Sequence, residues 1–190
     1  MRIISDYSLF LYSMTEKQEK ILETALHLFA KEGFDNTSTS KIAVKAGVSE
    51  GLIFRHFKNK EGLLEALINE GQDKVKRVFS DVIFEQDPRE VIRKTIGIPY
   101  RFLEENREFW VLEYSLKFQR LLLNEKIDKS FMEPMLKALE DAFDELDYME
   151  PRKEAELLYV LLEGILTRVL TQGPKDMDTL KDFIESKYKL

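Results

Sequence analysis

Apolar residues recur at three- and four-residue spacing along nearly the whole chain, the period of helices that bury one side. Thr15 and Gln18 have capping-box spacing, in which a hydroxyl reaches forward and an amide reaches back to satisfy two free N–H groups. Behind them Ile21, Leu22, Ala25, Leu28 and Phe29 fall on one stripe, and Gly33 predicts the stop. TSTSKIAVKAG predicts a second, short helix that buries Ile42, Ala43 and Ala46 and closes at Gly47. Ser49 is placed to cap a very short third helix, EGLIFRHF, and Asn59 a long fourth one, KEGLLEALINEGQDKVKRVFSDVIF.

The rest reads the same way. Asp87-Pro88 opens a helix through VIRKTIGIPYRFLEEN, where Pro99 removes a backbone bond and predicts a kink or break. REFWVLEYSLKFQRLLL follows, then a segment through SFMEPMLKALEDAFDELDYM. Pro151 opens RKEAELLYVLLEGILTRVLTQ, which ends at Gly173-Pro174, and a last helix lies in DTLKDFIESKYK. Strand-like alternation and hairpin dipeptides are missing. The fold class is therefore all-α. A small N-terminal bundle is expected over residues 14–62 and a larger helical domain over 63–190, with the long fourth helix shared between them. Residues 1–13 read either as a short arm or as a stretch ahead of the natural start at Met14.

Charge sharpens this division. The 190 residues carry a formal net charge of −6. Residues 14–62 hold eight Lys/Arg against seven Asp/Glu, whereas residues 63–190 hold 20 against 27. A uniformly basic coat is excluded, but a local basic face is not, and a few well-placed cations suffice to meet phosphate. The chain has no cysteine, which rules out disulfides and thiolate metal sites and fits a reducing cytoplasm. No apolar run approaches the roughly 18 residues needed to cross a bilayer.

Candidate chemistry gathers at the N-terminal bundle. A helix-turn-helix needs a scaffold helix, a sharp turn and a second helix that enters the major groove. Ala46-Gly47-Val48 supplies the turn, with Val48, Ile53 and Phe57 facing inward. Ser49, Glu50, Gly51, Phe54, Arg55 and His56 are left on or near the outer edge, where glycine allows close backbone approach. Arg55 is suited to guanine O6 and N7, and Glu50 to cytosine N4 or to the exclusion of wrong sites by charge.

The stretch GFDNTSTSKIAVKAGVSEGLIFRHFKNKEGLLEAL resembles the DNA-binding module of the TetR family of regulators. The resemblance rests on Gly33-Phe34, Thr37-Ser38, Ile42-Ala43, Ala46-Gly47-Val48-Ser49, Gly51, His56-Phe57 and Lys60. It implies phosphate contacts from Thr37, Ser38 and His56 and a phosphate clamp at Lys60. The family often has a tyrosine where this chain has Phe54, so only apolar contact is expected there. On this reading Lys60→Ala weakens binding to every DNA sequence and lowers the salt slope by about one.

The second domain is rich in large apolar side chains, most of which must form a core. Phe79, Tyr100, Phe109, Trp110, Glu113, Tyr114 and Phe118 are the candidates for lining a ligand cavity, with an apolar or amphipathic small molecule as the effector. The resemblance also implies a homodimer. Leu158, Leu161, Leu162, Gly164, Ile165 and Val169 form the candidate pairing stripe.

The function expected is thus a ligand-responsive transcriptional regulator, most readily a repressor, that binds operator DNA and is released by its effector. It needs no cofactor or metal. An activator or architectural DNA binder without an effector is the alternative, and a closed core would favour it. Two histidines and no E-x-x-H motif argue against an enzyme.

Overall fold

The computed structural model describes residues 14–122 and 132–190, with the side chains of 105, 106 and 118–122 left out. Readings that fall on residues 1–13 and on the Phe118 side chain lie outside the described residues. Eight helices occur among the described residues: α1 (Glu16–Glu32), α2 (Thr39–Ala46), α3 (Glu50–Phe57), α4 (Lys60–Ile83), α5 (Pro88–Leu122), α6 (Glu133–Glu145), α7 (Pro151–Gln172) and α8 (Met177–Lys187). None of the described residues is in a strand.

The helix ends follow their side chains. Thr15 Oγ1 accepts from the Gln18 N–H at 3.3 Å while the Thr15 N–H donates to Gln18 Oε1 at 2.9 Å, which completes the capping box. Ser38 Oγ accepts from the Lys41 N–H at the head of α2, and Gly47 ends that helix in the left-handed region, at φ 68° and ψ 36°. Asn59 Oδ1 accepts from the Gly62 N–H at 2.7 Å, capping α4. Asp87 Oδ1 does the same for the Arg89 N–H at 2.9 Å, with Pro88 where no donor is needed.

Chain contacts divide the molecule into two compact units, the first ending at Gly71 and the second running from Gln72 to Leu190. In the first, Ile21, Leu22, Leu28 and Phe29 of α1 are buried together with Ile42 and Ala46 of α2, Ile53 and Phe57 of α3, and Leu63 and Leu67. Each such large side chain contributes about 1.5–3 kcal/mol by leaving water. Val48, expected as a core plug, is only half-buried. The division falls within α4, beyond the edge expected at residue 62, because the core of the second unit begins only at Val75 and leaves Leu63 and Leu67 to the first.

The second unit packs α5, α6 and α7 against one another around Ile92, Ile96, Met135, Leu139, Phe143 and Leu158. Pro99 does not divide α5, which runs unbroken for 35 residues. A proline removes one ladder bond, here to the Thr95 carbonyl. Burial of Ile92 and Ile96 before it and of Phe102 and Leu112 after it holds the two halves in one helix. No described helix is long and apolar enough to cross a membrane.

Candidate functional site

The turn between α2 and α3 exposes one edge of α3. Gly51, Phe54 and Arg55 are exposed, and Ile53 and Phe57 are buried beneath them. An added Cβ at Gly51 would meet nothing within 4 Å, so the backbone stands open to a close-fitting partner. Ser49 occupies the cap position of α3 but makes no capping bond with its side chain, which leaves the hydroxyl for another acceptor. His56 is half-buried, with its ring 6.2 Å from that of Phe57. The exposed edge presents a cation, a ring face, a hydroxyl and bare backbone, the mixture that contacts phosphate and base edges.

The other expected phosphate contacts divide. Ser38 is exposed at the head of α2, and its hydroxyl still has a proton to give after accepting from the Lys41 N–H. Thr37 is only 1 % exposed and donates to the Gly33 carbonyl at 2.8 Å, so its role is to hold the α1–α2 turn and not to touch phosphate. Lys60 is also committed inward: its ammonium donates to the carbonyls of Phe34 at 2.9 Å and Asp35 at 3.3 Å and sits 4.4 Å from the centre of the Phe34 ring. The lysine expected to clamp DNA thus ties the α1–α2 loop to the head of α4.

Glu50 is constrained as well. Thr39 Oγ1 donates to Glu50 Oε1 at 2.6 Å, a bond between the first residues of α2 and α3. Sequence reasoning passed over Thr39, because eleven residues separate it from its partner and nothing in local spacing joins them.

The second unit encloses a cavity of about 420 Å³, within the range of small-molecule sites. Phe79, Phe109, Trp110, Glu113 and Tyr114 line it, as do Phe102, Met135 and Tyr159. Trp110 stacks on Phe102, with centroids 4.3 Å apart. Tyr100 is not a lining residue: its hydroxyl donates to the Met177 carbonyl at 2.7 Å and so fastens α5 to α8. The polar end holds a pair the sequence did not reveal, Lys117 Nζ to Glu163 Oε1 at 2.9 Å, because the partners lie 46 residues apart on α5 and α7. Burial pushes the Tyr114 hydroxyl above its ordinary pKa, and burial together with a bond to Glu163 does the same for Tyr159.

The expected pairing stripe on α7 must move round the helix. Leu158, Leu162, Ile165 and Val169 are buried in the chain's own core, and Leu162 also borders the cavity. The face open to a partner carries Leu157, 44 % exposed, and Val160, 61 % exposed, together with the half-buried Leu161 and the exposed Gly164. A stripe at helical spacing shows that a face is apolar but not what covers it.

Residues 21–67 match the profile of the bacterial regulatory proteins of the tetR family. The chain is 38% identical over 103 residues to the uncharacterized HTH-type transcriptional regulator YerO of Bacillus subtilis (strain 168), a match covering 52% of this chain and 35% of that protein. It is 31% identical over 157 residues to a second uncharacterized HTH-type regulator of that organism, YuxN, covering 80% of this chain and 53% of that one. The matches thus span between a third and about half the length of these relatives. A TetR-like transcriptional regulator from Rhodococcus sp. RHA1 shares the fold, with a TM-score of 0.71 and 21% identity over 90% of this chain and 92% of that one.

Proposed function

Because the chain belongs to the TetR family of bacterial regulatory proteins, we propose that it is a ligand-responsive repressor that grips operator DNA as a homodimer and lets go when a small molecule fills its cavity. The observation that carries this reading is the pairing of two features in one chain: an open α3 edge at Gly51, Phe54 and Arg55, and a cavity of about 420 Å³ in the other unit. A DNA binder without an effector has no use for such a space.

In this reading α3 enters the major groove and Arg55 reads a guanine edge, while Ser38 and Ser49 donate to phosphate. Two copies meet through Leu157, Val160, Leu161 and Gly164 of α7, and a two-fold dimer sets two α3 helices about one DNA turn or slightly more apart. The effector acts by population shift. It prefers a state in which α4 has pivoted and the two α3 helices no longer match their half-sites. The coupling equals its differential affinity for the two states, typically about 1–3 kcal/mol.

The test begins by selecting bound fragments from the source genome and measuring affinity for them by fluorescence anisotropy. Saturable binding that an Arg55→Ala substitution relaxes at one base position supports the reading. Failure to bind any duplex at low ionic strength refutes it.

A further inference from the structure

The charges inside the cavity narrow the chemistry of its occupant. Of the charged residues lining it, Glu113, Lys117 and Glu163 are at most half-exposed, while Lys76 sits at the rim with 64 % of its side chain exposed, beside Asp73. The inner set is therefore two carboxylates against one ammonium. That ammonium is held in a particular way. Lys117 Nζ lies 2.9 Å from the Glu163 carboxylate and 5.2 Å from the centre of the Tyr114 ring. A cation seated on an aromatic face and paired with a carboxylate is favourable, more so where water is scarce. The remaining walls supply further ring faces from Phe79, Phe102, Trp110 and Tyr159. Each has a negative face, which attracts positive charge and repels negative charge.

An anionic head would find a poorer site. Its one inner cation is already paired, the Tyr159 hydroxyl is engaged with Glu163, and the second carboxylate stands on the same wall. A cationic head gains both carboxylates and the rings once the flexible Lys117 arm swings aside.

We propose that the occupant of this cavity is an amphipathic monocation with an apolar or aromatic body, its charged head taking the place that the Lys117 ammonium holds between Glu163 and the Tyr114 ring. This rests on the reading that the cavity is an effector site, and it adds the sign of the effector's charge.

Tetraphenylphosphonium and tetraphenylborate test it directly, because they share a shape and differ in charge. Trp110 is the one tryptophan of the chain and lines the cavity, so its fluorescence reports occupancy, with calorimetry as the second measurement. The phosphonium should bind at least tenfold more tightly than the borate. Glu163→Gln should weaken the phosphonium about tenfold, whereas Lys117→Met should hold or tighten it by removing the internal competitor. Borate binding as tight as or tighter than phosphonium binding overturns the proposal, and so does absence of binding by either ion. Affinity for a selected DNA fragment, measured in the same samples, separates the two ideas. A phosphonium ion that binds without releasing DNA leaves the charge assignment standing and removes the effector role. A borate ion that binds and releases DNA does the reverse.

Discussion

Single residues show how closely local roles are set by what stands nearby. Lys60 has the sequence position of a phosphate contact, yet its ammonium is spent on the carbonyls of Phe34 and Asp35. Lys60→Ala should therefore cost about 1–3 kcal/mol of stability, the worth of charged hydrogen bonds, seen as a lower urea midpoint. The slope of log affinity against log salt should stay where it was. A slope smaller by about one would restore the direct phosphate role. Gly62 is a stricter case. A Cβ there would stand 2.0 Å from the Phe57 carbonyl oxygen, with no flexible neighbour to give way. Gly62→Ala should cost about 3 kcal/mol or more, because backbone must move. A thermal melt within a degree or two of wild type would contradict that contact.

At the scale of elements, most of the fold could be read from the chain. Caps at Thr15, Ser38, Asn59 and Asp87 act within three residues, so short-range spacing finds them. What escaped is long-range. Pro99 signals a break that tertiary burial overrides, and Thr39–Glu50 and Lys117–Glu163 join residues that no local pattern relates. The α4–α5 connection shows a further element-scale device. Glu85 accepts from the Lys94 ammonium and from the N–H groups of Asp87 and Gln86, and these bonds hold its carboxyl down to about 2. A carboxyl depressed below its unfolded value stabilises the fold above that value and loses the effect as pH falls through the folded one. Against Glu85→Gln, wild type should be the more stable at pH 7, and the gap should close between about pH 4.5 and 2. Chemical unfolding across that range would show it, and a gap constant with pH would not fit.

For the whole molecule, two nearly adjacent substitutions on α7 should give opposite results. Leu157 is exposed, and Leu158 has no exposure at all. Leu157→Glu should leave the monomer folded and convert a dimer to monomers by light scattering, with loss of two-site DNA binding. Leu158→Ala should instead cost about 2–5 kcal/mol of stability and leave assembly of the folded fraction intact. If Leu157→Glu stayed dimeric, the pairing face would lie elsewhere.

The division between the units falls inside α4, and that has a practical result. Proteases need several residues of extended chain, which ordinary domain junctions offer freely and a hydrogen-bonded helix does not. Limited digestion should therefore spare residues 60–83 and nick the turn near 33–38 or the one near 84–87 first, so the two halves should resist being cut cleanly apart.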